Sequence, residues 1–389
     1  MLTITKTQAR YFLLNYHELS NPRQLETDDA ILRFIRKVGC IQYDPLNKAG
    51  RNADLVLQSR CRNYREERLY NLLYRERRLI DGWDKNMSIY RVEDWPYFSR
   101  KREEYNRRYG TGDDDIAAIR VRIIDYLSKN DSISSGDIKD KRIVDWSWAP
   151  ANIVRAALES MYHRGELIVH HKRGTRKYYA PAGVLLPFEL ISRSDPNIDD
   201  ADYERWYVLR RIGAVGMLWN KFGDAWLGSG LKGDQRNRAV RSLLAEDEIR
   251  EVEIEGFSER FLIRSGDIDC INSAEPSTEM SFLAPLDNLI WDRNMVRLVF
   301  DFDYKWEVYT PAKLRRYGYY VLPVIYRSGF AGRIEPVYEK KSKTLHIRNW
   351  WPEKSFNMDD DAKAAMGRCL SDFAGFLGAE KIEFKENWF

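Results

Sequence analysis

Between Pro150 and Tyr179 the apolar spacing changes from helical to strand-like, and no other stretch restricts the fold as tightly. Ile153, Ala156, Ala157, Leu158 and Met161 recur at the intervals of one buried helix face. After Gly165-Glu166 come two β-prone runs, Leu167-Ile168-Val169 and Lys177-Tyr178-Tyr179, separated by an Arg173-Gly174 turn. Glycine at such a turn is a hairpin signal. The segment therefore reads as a helix followed by a wing, with Lys172, Arg173, Arg176 and Lys177 at or near its tip. Clustered cations at a hairpin tip suit phosphate contacts, which set position rather than sequence. A solvated hairpin or a protein-binding wing is the competing reading.

The helices before this wing complete a module over residues 116–183. Ile116, Ile119, Ile123, Ile124 and Leu127 line a first helix, and Ser134-Ser135-Gly136-Asp137-Ile138 has the form of a short second one, with Pro150 opening the third. The N-terminal region repeats the order helix, helix, short strand. Thr5 caps a helix running through Leu13 and Leu14, and Asn21-Pro22 marks a turn. Thr27 or Asp28 starts a helix with Ile31, Leu32, Ile35 and Val38 on one face; Gly39 ends it, and Cys40 to Asp44 reads as extended. Helical stretches follow near 53–60 and 66–77, then a strand pattern from Met87 to Tyr90. A third module is expected from a helix at Tyr203 to Met217, a basic helix at Asp234 to Leu244, and alternating Val252, Ile254 and Phe261, Ile263. Beyond about 280, Val296 to Phe300, Tyr319 to Leu322, Gly332 to Glu335 and Thr344 to Ile347 have the lengths and turn spacing of a small sheet or barrel. Asp359 to Leu377 reads as a late helix and Ile382 to Phe384 as a last strand.

Charge is unevenly spread along the 389 residues. Residues 1–110 hold 22 Lys or Arg against 15 Asp or Glu, so this stretch carries +7 and the remainder −3. A basic first region on a nearly neutral body suits a polyanion patch, with a merely solvated surface as the alternative. Cys40, Cys61, Cys270 and Cys369 form no C-x-x-C pair, and the five histidines form no H-E-x-x-H, so zinc-ribbon, iron–sulfur and disulfide frameworks are not expected. The start of the chain shows no signal-peptide pattern, and no apolar run nears the roughly 20 residues a bilayer span needs. A reduced cytosolic setting fits the cysteine pattern.

Two motifs bear on chemistry. Gly228-Ser229-Gly230-Leu231-Lys232-Gly233 matches the dinucleotide fingerprint, but Asn220 to Leu227 is not the buried strand such a site needs, so a turn before a helix is expected. In Gln42-Tyr43-Asp44-Pro45, residues two apart on an extended segment project to one side, and Pro45 disfavours the α region for Asp44. That places an amide beside a carboxylate. The bland alternative is a turn aspartate next to an ordinary surface glutamine.

Longer motifs narrow the choice. Cys40-Ile41-Gln42-Tyr43-Asp44-Pro45-Leu46, Trp146-Ser147-Trp148-Ala149-Pro150 and Ala157-Leu158-Glu159 leading to Gly165-Glu166-Leu167 are three of them. Two more are Phe282-Leu283-Ala284-Pro285-Leu286-Asp287-Asn288-Leu289-Ile290-Trp291-Asp292-Arg293 and Phe300 to Tyr309, followed by Arg316 to Tyr320. Together they resemble the bacterial winged-helix DNA glycosylase family that unhooks interstrand crosslinks, in its Gln-x-Asp branch. The resemblance implies an α+β fold of tandem winged-helix domains followed by a C-terminal β-barrel: winged helices at 1–112, 113–195 and 196–279, and a barrel with a late helix at 280–389. It implies monofunctional excision of N7-alkylguanine, bulky adducts and crosslinks included, from double-stranded DNA, with Gln42 and Asp44 catalytic and no metal or organic cofactor. Where related members carry a second Gln, Asp44 marks a branch tolerant of more alkyl substituents. The cell compartment implied is the bacterial cytoplasm, at the nucleoid; the oligomeric state is left open, a monomer being sufficient. The alternative function is a noncatalytic winged-helix DNA-binding or regulatory protein.

Overall fold

The computed structural model describes residues 2–20, 23–109, 114–146, 149–221, 223–272, 277–386 and 388. The expected turn at Asn21-Pro22, Ser147 and Trp148 of the Trp-rich motif, and Phe222 lie outside the described residues. The fold is mixed α and β, and the chain divides into two compact units. The first comprises Met1–Leu69, Gly82–Ile89 and Asp199–Phe389; the second comprises Tyr70–Asp81 and Tyr90–Ile198.

In the first unit, local signals set the helix ends. Thr5 and Gln8 form a reciprocal capping box at the start of helix Lys6–Tyr16, which buries Phe12, Leu13, Leu14 and Tyr16. Thr27 accepts the Ala30 N–H at the start of helix Asp28–Val38, with Asp28 and Asp29 in its first turn and Arg36 and Lys37 in its last. Those charges complement the helix dipole at both ends. Gly39 then stops the helix at φ +76°, a left-handed conformation that glycine adopts without a Cβ clash. The next residue begins the short strand Cys40–Gln42, buried throughout. It pairs with Asn86–Arg91, which pairs in turn with Leu79–Asp84.

Two sheets lie wholly within this unit. Leu2–Ile4 runs parallel to Ile249–Ile254, in a four-stranded sheet completed by Arg260–Arg264 and Leu218–Trp219. The C-terminal sheet has the order Ser277–Phe282, Leu322–Arg327, Gly329–Glu339, Thr344–Pro352, Lys381–Phe384. Its last pair is parallel, which requires a crossover; helix Asp360–Leu377 provides it and packs against Ser277–Phe282, with the Phe282 and Phe373 rings 5.2 Å apart. Two sequence expectations are corrected here. Val296 to Phe300 is not a strand but lies in helix Arg293–Phe300, capped by Asp292 and buried through Met295, Val296, Val299 and Phe300. Five residues fit either period, and the Asp292 cap decides for the helix. Of Tyr319 to Leu322, only Leu322 is in a strand.

In the second unit, helices Asp114–Leu127 and Ile153–His163 pack together, followed by the hairpin Leu167–Arg173 and Arg176–Pro181 with Gly174 at φ +61° in its turn. Only Ile119 and Ile123 of the predicted stripe are fully buried, and Ile124 is half exposed. Ser134 to Ile138 is not helical but a turn: the Asp137 carboxylate accepts the N–H and hydroxyl of Ser134, while Ile133 bridges to Tyr179. Asn152, rather than Pro150, opens the next helix, its Oδ1 accepting from Val154 and Arg155.

Candidate active site

Strand Cys40–Gln42 is short, so side-chain amides supply what a longer ladder would. The Tyr43 N–H donates to the Met87 carbonyl at 2.9 Å, extending the pairing by one residue. The Gln42 carbonyl accepts from Asn52 Nδ2 at 2.7 Å, and Asn52 Oδ1 accepts the Leu286 N–H at 2.9 Å. Asn288 Nδ2 donates to the Cys40 carbonyl at 3.0 Å and the Ala214 carbonyl at 3.2 Å. Buried backbone groups left without partners would each be costly, and these two asparagines satisfy several of them. Asn288 lies next to Asp287, whose carboxylate forms a two-pronged ion pair with Arg60 at 2.8 and 2.9 Å, both side chains fully buried. Arg60 also donates to the carbonyls of His17 and Val56. Burial first, and then the Arg60 charge, lowers the His17 pKa to about 3, so that ring stays neutral.

Gln42 is only 5% exposed, which excludes an ordinary surface glutamine. Its Oε1 accepts from Lys85 Nζ at 3.4 Å. Asp44 lies two residues on, past the end of the strand and partly exposed. Its Oδ1 accepts the Leu46 N–H at 2.8 Å, a turn closed around Pro45. Thus the strand ends earlier than the sequence suggested, and the turn reading holds for Asp44. Burial raises the Asp44 pKa above the usual carboxylate value, with the Leu46 N–H pulling the other way. The same carboxylate, after burial, raises the hydroxyls of Tyr309 and Tyr320. These tyrosines flank Trp306, ring centres 6.1 and 6.3 Å away, and Tyr320 donates to the Gly50 carbonyl. Glu307 holds their loop by accepting the N–H groups of Arg316 and Tyr317, and Glu335 by accepting that of Tyr319. Tyr309, 85% exposed, stands clear of that frame.

The hairpin turn carrying Lys85 is fixed from behind. Asp84 pairs with Arg210 at 2.5 Å and Arg211 at 2.8 Å, and Arg210 also donates to the Gly39 carbonyl at 2.9 Å. One guanidinium thus ties the start of the Gln42 strand to the turn at Lys85. The glycine-rich segment has its role here: Gly228, at φ +78°, approaches so closely that a Cβ would lie 2.0 Å from the Asp84 carbonyl oxygen. It is a turn ahead of helix Gly233–Ala245, as expected. Gly228→Ala combines a disfavoured backbone with a backbone clash, and should destabilise the protein by roughly 2 kcal/mol or more. Thermal melts compared with Gly230→Ala, where φ is +73° but nothing lies within 4 Å, isolate the clash; equal losses would deny it.

The four wing cations separate into two pairs. Lys172 is 2.5 Å from Asp81, both side chains under 10% exposed. Lys177 lies 5.3 Å from the Tyr162 ring, its pKa lowered by burial and then by Lys172. Arg173 and Arg176 are exposed at the tip. Burial of the aliphatic stems against this sheet explains the split, since hairpin residues alternate between faces. Arg77 braces the bulge behind the wing through the carbonyls of Val169 and His170. Among the described residues, no group of three or more His, Cys, Asp or Glu is arranged to hold a metal, and no helix is long and apolar enough to cross a membrane.

Sequence reasoning missed Lys85, Asn52 and Asn288. Asn288 sits inside the long Phe282 to Arg293 motif, which was visible, but its target Cys40 is 248 residues away. The comparisons with known proteins bear on the fold and the family. The structure superposes on Streptomyces sahachiroi DNA glycosylase AlkZ over 99% of this chain and 100% of that one, with a TM-score of 0.63 at 14% identity; the fold is shared. The sequence model described as DNA glycosylase AlkZ-like matches residues 35–376, taking in the Gln42 strand, the Lys85 turn and the Asp287-Asn288 brace. The chain belongs to the AlkZ-like DNA glycosylase family.

Proposed function

We propose that the protein hydrolyses the N-glycosidic bond of N7-alkylguanine in double-stranded DNA, bulky adducts and interstrand crosslinks included, and leaves the strand intact. The observation that carries this reading is the pairing of a buried, braced Gln42 with a half-buried Asp44 of raised pKa on one short segment. N7 alkylation makes the purine cationic, so it departs without a strong general acid. The sugar then gains oxocarbenium character, which the Asp44 carboxylate stabilises. A raised pKa also makes Asp44 a better base toward the attacking water. Gln42 orients that water or the nucleotide. Tandem winged helices at 1–112, 113–195 and 196–279 and a barrel at 280–389 are the architecture we assign to this task, acting at the nucleoid.

The test is incubation of the purified protein with a duplex carrying one N7-methylguanine. Free base should appear with an alkali-labile abasic site, and no strand break before alkali. A folded protein that binds a defined operator but releases no base would be the regulator instead. Wing contacts are tested separately. Replacing both Arg173 and Arg176 by Ala should weaken duplex binding and reduce the slope of log K against log salt by about 2, near one unit per phosphate lost. Lys172→Ala, by removing the cation from Asp81 and leaving it the Tyr74 hydroxyl, should lower stability more than the slope. An unchanged slope in the double variant would remove the wing from the interface.

A further inference from the structure

Lys85 occupies the turn between strands Leu79–Asp84 and Asn86–Arg91 and is only 5% exposed. A buried ammonium needs something to replace its water. It has the Gln42 Oε1 at 3.4 Å and the face of Trp291, whose ring centre is 4.9 Å away. An ammonium donates and never accepts, whereas a glutamine amide has one accepting and one donating end. The contact therefore has a single satisfactory form, with the Gln42 oxygen toward Lys85 and its NH2 group directed elsewhere. Gln42 cannot answer by moving its backbone, because Asn52 holds its carbonyl. The turn cannot retreat either, because Gly228 packs against Asp84 and Lys85.

We infer that Lys85 is a positioning residue for base excision: it holds the Gln42 amide one way round, so that the NH2 end is presented to water or nucleotide. This inference rests on the glycosylase reading above. The surroundings make the device sensitive to pH. Arg211 from helix Asp200–Val215 and Arg293 at the start of helix Arg293–Phe300 disfavour the ammonium; Asp224 in the turn Asp224–Trp226 and Cys40 of the Gln42 strand favour it. Burial is the largest effect, and the Lys85 pKa falls to about 8. Below that pH Lys85 only donates. Above it the neutral amine also accepts, both amide orientations are satisfied, and the preference is lost.

The experiment is single-turnover base release by the full chain, enzyme in excess, from a duplex with one N7-methylguanine. Lys85→Met should slow release by about 10- to 100-fold, the scale of a misplaced catalytic group, with duplex affinity within about threefold of wild type. In a Gln42→Ala background the same change should cost less than about twofold, because residues acting through one another are not additive. Wild-type release should decline as pH rises past about 8, and Gln42→Ala should lack that decline. Equal costs of Lys85→Met in both backgrounds, or full activity of the single variant, overturn the inference. So does a borohydride-trapped protein–DNA adduct that requires Lys85, since that makes the lysine a nucleophile. If Lys85→Met does not fold, the two pH profiles decide: the same shape in both proteins overturns the inference. An inactive wild type sinks the glycosylase reading as well; an active wild type without a Gln42-dependent decline sinks this inference alone.

Discussion

Asp44→Asn should release N7-methylguanine roughly 10²- to 10³-fold more slowly than wild type, the usual cost of removing one preorganised charge from a transition state. Duplex binding should change little. The substitution is nearly isosteric, and the asparagine Oδ1 can keep the Leu46 N–H that now reaches the carboxylate at 2.8 Å. What it removes is the charge. Two further readouts follow from the direction of the Asp44 shift. The role proposed for Asp44 needs its ionised form, so the wild-type rate should fall with decreasing pH at a point above the ordinary 3.8, and the residual rate of the variant should not. Stability moves the other way. A carboxyl whose folded pKa is raised is favoured by the fold when protonated, and that contribution is lost as pH rises through the folded value. At neutral pH the Asn variant should therefore melt slightly higher than wild type, and the gap should close below pH 3.8. Equal base release by wild type and a folded Asp44→Asn protein would end the catalytic assignment.

Asp287→Ala should be the most damaging single change in stability. Arg60 and Asp287 are both fully buried, and removing the acid strands a guanidinium in the core. Breaking such a pair costs about 3–5 kcal/mol, against a typical total of about 5–15 kcal/mol. Asp287 also accepts the Leu289 N–H, so a cap is lost with the charge. The expected result is a large drop in urea midpoint or insoluble expression. Arg60→Met with Asp287→Leu should recover much of the loss, since the charges leave together. A single variant within about 1 kcal/mol of wild type would show that water reaches this pair. The pair also explains the long motif around it. Leu286, Asn288 and Trp291 reach Asn52, Cys40 and Lys85 respectively, so the motif is a brace for the Gln42 strand.

What was legible in the sequence was local. Thr5, Thr27, Gly39 and Asp359 mark helix ends through atoms within four residues, and each does so in the structure. The helix-and-hairpin pattern at 153–181 was readable for the same reason. Gln42 and Asp44 stood out by spacing, but their environments did not: nothing nearby in sequence says that Gln42 is buried or that Lys85 faces it. Counting wing cations also overestimated what is exposed, because Lys172 meets an aspartate 91 residues earlier. Val296 to Phe300 failed for want of length, and Ser134 to Ile138 because Asp137 bonds to Ser134 and closes a turn.

The register of Leu2–Ile4 against Val252–Ile254 bears on how the chain is made. Once synthesised, Leu2–Ile4 waits for a partner about 250 residues later, roughly 12 to 50 s at ordinary elongation rates. The unit spanning Tyr70–Asp81 and Tyr90–Ile198 is fully synthesised within that interval, while the other still lacks Asp199–Phe389. If each unit folds as it is completed, the inserted unit should mature first, with the segment bearing Gln42 and Asp44 exposed until Asp199–Phe389 is made. Slowing translation between residues 90 and 250 should lengthen that exposure, and chains released early should be recognised by chaperones through the unpaired Leu2–Ile4 strand.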